Sequence, residues 1–135
     1  MPGTFQCTVV TPQQQVLDEA VTYVSVPAWD GQIGVAPQRA PLLVNLGDGT
    51  LRLDIHQGDS RWFFLSGGFA QMKDNRLTLL SDEAVPADQI DHDQAKAAYK
   101  TAQADKAVGD TQTDRRNRQL NRARAMLRLL DQRRD

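Results

Sequence analysis

Between Val26 and Leu53, four glycines (Gly31, Gly34, Gly47, Gly49) and three prolines (Pro27, Pro37, Pro41) interrupt short apolar runs. Proline presets φ and removes a backbone donor, and glycine admits turns that other residues resist, so no helix runs through this stretch. The breakers also come too often for long strands. Their spacing predicts a turn, a short strand, an exposed loop, a second short strand, a turn and then a longer strand. Nothing here pairs a nucleophile with a base or spaces metal ligands. The stretch reads as a segment that presents a surface.

The flanking sequence continues the β pattern. Residues 4–10 alternate and are rich in β-branched types, which puts Phe5, Cys7 and Val9 on one face of a first strand. After Thr11-Pro12 a short strand, Gln14 to Leu17, is expected to lead through Asp18-Glu19 into Ala20–Val26, a separate strand ended by Pro27. Leu51, Leu53 and Ile55 alternate with Arg52, Asp54 and His56, the pattern of a half-buried strand that puts His56 on its wet face. Residues 61–65 are apolar on both faces and suggest a central strand. Gly67-Gly68 breaks the run, Phe69–Met72 resumes it, and Asp74-Asn75 marks a hairpin tip before the last strand, Arg76–Ser81. Eight to ten short strands with such frequent turns predict a β-sandwich or flattened barrel over residues 1–87.

From residue 88 to 135 the pattern is helical. Ile90–Val108 is dense in alanine (Ala95, Ala97, Ala98, Ala102, Ala104, Ala107), free of internal glycine and proline, and has Asp88 or Asp91 as candidate N-caps. Gly109-Asp110 separates it from a second helix reaching about Asp131, with Thr111, Thr113 or Asp114 available as caps. Leu120, Ala123, Leu127 and Leu130 form one narrow apolar stripe, and Ala95, Ala98, Tyr99 and Ala102 offer a matching small-residue face. An antiparallel hairpin follows. So thin a stripe buries little, so the hairpin should depend on docking against something else.

Charge divides the same way. Residues 1–90 carry five Lys/Arg against ten Asp/Glu, net −5, and residues 91–135 carry eleven against seven, net +4. The second helix uses arginine eight times (Arg115, Arg116, Arg118, Arg122, Arg124, Arg128, Arg133, Arg134) and lysine never. A run of arginines is commonly a solvated face, but guanidinium is also the group that grips carboxylates and phosphates through two bonds at once. Nucleic acid fits poorly, because the β-domain is acidic and no aromatics flank the arginines for stacking. An acidic protein surface fits better.

Catalytic constellations are missing. His56 and His92 stand apart, one cysteine with two scattered histidines makes no ordinary zinc site, and neither Gly-rich turn is followed by Lys-Ser/Thr. Ser66 has no base placed to activate it. Cys7 reads as a small buried apolar residue. No run is long enough to cross a bilayer and the first residues lack a signal-peptide pattern, so membrane association is expected only through a partner. Read from its residues, the chain is a β-sandwich with a basic helical hairpin, a binding or regulatory part rather than an enzyme.

The order of these parts resembles the epsilon subunit of the rotary F-type ATP synthase, called delta in mitochondria. The family pattern matches Pro27, Gly31, Gly34, Pro37, Ala40-Pro41-Leu42 and Leu46, Gly49, Leu51. It matches again at Phe63-Phe64-Leu65-Ser66-Gly67-Gly68-Phe69, and continues through Asn75 and Leu77-Thr78-Leu79-Leu80 to Asp82-Glu83-Ala84. The resemblance implies a ten-stranded sandwich followed by two helices. It also implies a non-catalytic rotor subunit at the cytoplasmic face of a bacterial inner membrane, coupling proton-driven rotation to ATP synthesis. The sandwich would bind the gamma subunit and the ring of c subunits, with Asp30, Gly31, Gln32, Gln38 and Arg39 at that junction. Extended along gamma, the hairpin would set Arg115, Arg116, Arg118, Arg122, Arg124 and Arg128 against acidic segments of the alpha and beta catalytic subunits and block hydrolysis.

Three positions depart from the family pattern. Gln32 stands where an acidic residue is common, and Gln38-Arg39 where Gly-His is common. The third is the ATP motif of some bacterial members, Ile/Leu-Asp-x-x-Arg-Ala, which reads here Ile90-Asp91-His92-Asp93-Gln94-Ala95. Gln94 removes the cation that would meet phosphate and Asp93 adds repulsion, so ATP binding is expected to be weak or absent and no cofactor is expected. The competing reading is a free-standing sandwich adaptor whose arginine-rich hairpin binds acidic protein or RNA.

Overall fold

A computed structural model describes residues 3–56, 58–106 and 108–133, with only the backbone of residue 133. Ala107 and Arg134, both singled out in the sequence, and the Arg133 side chain lie outside the described residues. Among the described residues nine strands come first: β1 (Phe5–Val10), β2 (Gln15–Ala28), β3 (Gly31–Val35), β4 (Leu42–Asn45), β5 (Gly49–Ile55), β6 (Ser60–Ser66), β7 (Phe69–Lys73), β8 (Arg76–Leu80) and β9 (Glu83–Pro86). One 3-10 turn, Ala87–Gln89, leads to helices α1 (His92–Ala104) and α2 (Asp110–Arg133).

The strands pair in the order β4-β7-β8-β1-β2-β5-β6-β9, with β3 added to β2. All pairs are antiparallel except β1 with β8. The sheet folds over on itself. Met72, Leu77 and Leu79 from one half meet Leu51, Leu53, Phe63 and Leu65 from the other in a single buried cluster, together with Phe5, Cys7 and Val9 of β1. This is the expected sandwich. The strand count differs because Gln14–Leu17 and Ala20–Val26 are one continuous 14-residue strand, β2.

Asp18-Glu19 does not break β2 because both carboxylates find partners beyond their own strand. Asp18 accepts from Gln6 Nε2 at 2.5 Å and Thr8 Oγ1 at 3.1 Å, and these two bonds hold its carboxyl below the ordinary aspartate value. Glu19 lies 3.4 Å from Arg61. Nor does Pro27 end the strand. It is the penultimate residue, where a missing donor costs the ladder little, and its carbonyl accepts from Gly47 N–H at 2.8 Å. His56 falls in the turn after β5 rather than on the strand.

Two corners are built by backbone chemistry. Asp74 (φ 52°) and Asn75 (φ 59°) both adopt left-handed conformations at the β7–β8 tip, as a tight hairpin turn demands. Gly68 has φ 100°, and a Cβ there would overlap the Leu80 carbonyl, so glycine is required on both counts. The Ser81 hydroxyl, buried at that corner, lies 3.1 Å from the Ser66 carbonyl and 2.9 Å from the Glu83 carbonyl, and its one proton serves the two.

β6 is apolar on both faces for a reason its position does not reveal. It is next to the sheet edge, not central. Phe63 and Leu65 fill the sandwich, while Phe64 and Trp62 point the other way into a second cluster with Ala87, Ala95, Met126 and Leu129. The hairpin is therefore folded down onto β5 and β6.

Asp91 is the cap of α1, its Oδ1 accepting from the backbone of Asp93 (2.8 Å) and Gln94 (3.1 Å). The helix stops at Ala104, four residues short of the predicted Val108, because Asp105 is extended and Arg116 Nε of α2 takes the Ala102 carbonyl at 3.0 Å. Thr111, Thr113 and Asp114 lie inside α2 rather than capping it. Its most buried residues are Ala123, Met126 and Leu129. Of the predicted stripe Ala123 is buried as expected, while Leu120, Leu127 and Leu130 are only half-buried, and Met126 and Leu129, each one position earlier than Leu127 and Leu130, take the deeper places. The helix has neighbours on two sides, α1 and the sheet, so it buries two adjoining stripes rather than one. On α1, Ala95 and Ala102 are buried, whereas Ala98 of the predicted face is exposed.

Candidate functional site

The residues expected at a rotor junction do not form one cluster. Asp30 lies in the β2–β3 turn, Gly31 and Gln32 open β3, and Gln38-Arg39 lie in the loop after it, so the two groups sit at opposite ends of that strand, roughly 16 Å apart. The Gln32 side chain is anchored, donating to Ser25 Oγ at 2.8 Å and to the Thr50 carbonyl at 3.1 Å. Gln38 takes φ 61° and donates its backbone N–H to Asn75 Oδ1 at 2.7 Å, which ties this loop to the β7–β8 tip. Asn75 in turn donates to the Thr4 carbonyl at 2.9 Å. Asp30, Gln32, Gln38 and Arg39 are all exposed. The turn at Asp30 and the loop at Arg39 are thus two presented edges held in fixed shapes.

Between those edges the sheet carries a feature the sequence reading missed. On the outer face of β4, β7 and β8, Asn45 pairs with Phe69 and Phe69 with Leu80, and Leu43 lies on the same face two residues before Asn45. Leu43 is 70% exposed, Phe69 42% and Leu80 37%. Trp29, whose N–H donates to the Asn45 carbonyl at 3.0 Å, is 71% exposed beside this row. On the other outer face Phe64 and Trp62 pack under the hairpin, whereas this one leaves an apolar row bare. Such a row on an otherwise polar sheet marks a contact surface. The signal was available in Leu43 and Phe69, which fall out of phase with the buried alternation of β4 and β7.

The α2 arginines separate into engaged and free. Arg122 grips Glu83 of β9 through two nitrogens, with NH2 2.9 Å from both carboxylate oxygens and Nε 3.2 Å from one. Its guanidinium also lies 5.5 Å over the Phe64 ring. Arg116 bonds the end of α1, and Arg124 stacks 5.8 Å over Tyr99. Arg115, Arg118 and Arg128 make no hydrogen bond or ion pair among the described residues. Arg124 and Arg128 line an outward groove of about 600 Å³ with Lys96, Lys100 and Tyr99, leaving a cationic surface on the side away from the sandwich.

Ile90, Asp91, Gln94 and Ala95 come together at a cavity of about 560 Å³ between β9, α1 and α2. Gln89, Gln119, Arg122 and Met126 also line it, and Arg122 is the one cation among the lining residues. Because Glu83 already occupies that guanidinium, the cavity offers amides and apolar surface but no free positive charge for a phosphate.

Elsewhere, no group of three or more His, Cys, Asp or Glu among the described residues is placed to hold a metal ion. His92 opens α1 with Nδ1 3.8 Å from the Asp93 carboxylate. Cys7 is fully buried, and burial, with the Asp18 charge adding to it, pushes its thiol up to about 12, which keeps it protonated and unreactive. No helix among the described residues is long and apolar enough to cross a membrane.

The family model for the β-sandwich domain of the ATP synthase delta/epsilon chain matches residues 4–87. The ATP synthase epsilon chain of Rhodopirellula baltica is 36% identical over 125 residues, covering 93% of this chain and 97% of its own length. That of Nitratidesulfovibrio vulgaris is 35% identical over 129 residues, 96% of each chain. Among solved structures, a chain of the Euglena gracilis mitochondrial ATP synthase superposes with a TM-score of 0.75 at 22% identity, covering 97% of this chain and 79% of that one. A chain of the Tetrahymena thermophila mitochondrial ATP synthase, in a structure of its central stalk and c-ring, gives 0.64 at 14% identity, covering 93% of this chain and 95% of that one. At these identities the two structures speak for the fold.

Proposed function

The chain belongs to the delta/epsilon family of the ATP synthase, as an epsilon chain, and from that premise we propose that it is a non-catalytic rotor subunit that couples proton-driven rotation to the catalytic head. The observation that carries this reading is the bare apolar row of Leu43, Phe69 and Leu80 beside Trp29. A rotor subunit transmits torque only if it is fixed to its neighbours, and a rigid sheet face with exposed large apolar groups supplies such a fixed contact. The gamma subunit is the partner assigned to this face. Asp30, Gly31 and Gln32 at one edge, and Gln38 and Arg39 at the other, are assigned to the ring of c subunits and the adjoining part of gamma.

The complex holds the chain at the cytoplasmic face of the bacterial inner membrane. In the closed hairpin the cationic groove faces outward. When the hairpin extends along gamma, Arg115, Arg116, Arg118, Arg122, Arg124 and Arg128 meet acidic segments of the alpha and beta subunits and oppose hydrolysis. The cavity at Ile90, Asp91, Gln94 and Ala95 binds ATP weakly or not at all, since its single lining cation is spoken for. Saturable tight binding of ATP to the isolated chain by calorimetry would overturn that part.

Co-purification tests the central reading. The native chain should bring down gamma, and Phe69→Asp should lose gamma while the isolated chain keeps its native circular dichroism. Retention of gamma by Phe69→Asp and Leu43→Asp alike would move the contact elsewhere. Failure of the native chain to recover gamma at all would favour a free-standing adaptor.

A further inference from the structure

We propose that Arg122 and Glu83 form a latch that holds the helical hairpin closed, and in one register, without any bound ligand. The inference rests on the hairpin being a movable element, as proposed above, but not on what the extended form does.

The two halves of the latch come from parts that must separate if the hairpin opens. Glu83 is the first residue of β9 and pairs with Ser66 in the ladder with β6. Its carbonyl accepts from the buried Ser81 hydroxyl at 2.9 Å, so its backbone belongs rigidly to the sandwich. Arg122 stands midway along α2, 39 residues further on. The guanidinium fork meets the carboxylate with three N–O distances of 2.9, 2.9 and 3.2 Å, while its flat face covers the Phe64 ring. Opening the hairpin removes the ion pair and uncovers Phe64 in one event.

Apolar docking alone would not fix this position. The hairpin's Ala95, Met126 and Leu129 meet Phe64 and Ala87 of the sandwich side, and a helix can slide over such a surface at modest cost because hydrophobic contact is non-directional. A planar fork on a carboxylate is directional and tolerates little shift. Arg122 therefore selects the register that the apolar contacts leave open. It also explains how the closed form persists with Gln94 in the cavity. The cation that an anionic ligand would use to bridge the elements is already bridged by Glu83.

The test uses the full chain with a fluorescence donor and acceptor attached at Gln13→Cys and Asn121→Cys, both exposed sites, while buried Cys7 stays unlabelled. In low salt, Glu83→Gln and Arg122→Gln should each raise the open-to-closed ratio about five-fold, the scale of a well-formed but partly exposed pair. The double variant should open no further than the more open single variant. Salt near 1 M, which shortens electrostatic reach to about 3 Å, should bring the native chain toward the variants. An unchanged ratio in both single variants, or strict additivity in the double, overturns the latch. Hydrolysis by the enzyme reassembled with Glu83→Gln is read separately. If the open fraction rises and hydrolysis does not fall, the latch stands and the inhibitory reading fails. If hydrolysis falls with no rise in the open fraction, the latch is overturned.

Discussion

Leu129→Ala should release the hairpin and leave the sandwich intact. Leu129 is fully buried, yet it belongs to the smaller cluster with Phe64, Ala87, Ala95 and Met126, which is separate from the cluster inside the sandwich. Truncating a fully buried leucine removes its transfer free energy and leaves a cavity, together about 2–5 kcal/mol. A middle value of ~3 kcal/mol lowers the closed-to-open ratio by roughly a hundred-fold. That is a large share of the docking energy available to an interface of so few residues. The α2 arginines supply the assay, since trypsin cuts after them only when the helix leaves its site. When opening and reclosing are fast relative to cutting, the rate follows the open population. Cleavage after Arg122 and Arg128 should therefore accelerate by on the order of a hundred-fold. The denaturant midpoint of the sandwich should barely move. Leu51→Ala is the contrast, because Leu51 lies in the sandwich cluster and its loss should lower that midpoint directly. If Leu129→Ala lowers the sandwich midpoint as much as Leu51→Ala, the hairpin and sandwich form one cooperative unit and the two-cluster argument is wrong. Unchanged proteolysis would refute the docking role of Leu129 itself.

Other consequences follow from single residues. Gly68→Ala meets both a left-handed φ of 100° and the Leu80 carbonyl, so it should destabilise the sandwich by at least about 1–3 kcal/mol in chemical denaturation. The Cys7 thiol, pushed from 9.0 to about 12, keeps its proton in the folded chain where the unfolded chain loses it. Stability should therefore fall as pH rises through that window, by up to about 1.4 kcal/mol per pH unit, and Cys7→Ala should flatten the fall. Thiol-directed reagents at pH 8 should modify Cys7 only after unfolding. Deleting residues from Asp91 onward should raise ATP hydrolysis by the assembled enzyme while assembly persists, and unchanged hydrolysis would leave the hairpin as a stabilising appendage.

Much of the architecture was legible because it is set over short distances along the chain. Alternation placed Phe5, Cys7 and Val9 inside, Asp74-Asn75 marked a hairpin tip, Gly67-Gly68 a break, and Asp88 or Asp91 a helix cap, of which the structure uses Asp91, each through backbone preference or a bond to a near neighbour. The family resemblance rested on those same corners and was confirmed by the match to residues 4–87. What failed depended on partners far away in sequence. Asp18-Glu19 looked like a turn until Gln6 and Thr8 were seen to bond Asp18 and Arg61 to pair with Glu19. The stripe on α2 was read for one neighbour, and the second neighbour, β6, adds Met126 and Leu129 to the expected Ala123 as the deepest residues and leaves Leu127 and Leu130 half-buried. The arginines looked alike as a run. Only the folded chain distinguishes Arg122, fastened to Glu83, from Arg115, Arg118 and Arg128, because the partner of a charged group is chosen by tertiary proximity rather than by periodicity. The proline- and glycine-rich segment announced a presented surface from its composition alone. That its two edges stand at opposite ends of β3, with an apolar row on the neighbouring strands, was decided by strand pairing, which no local preference encodes.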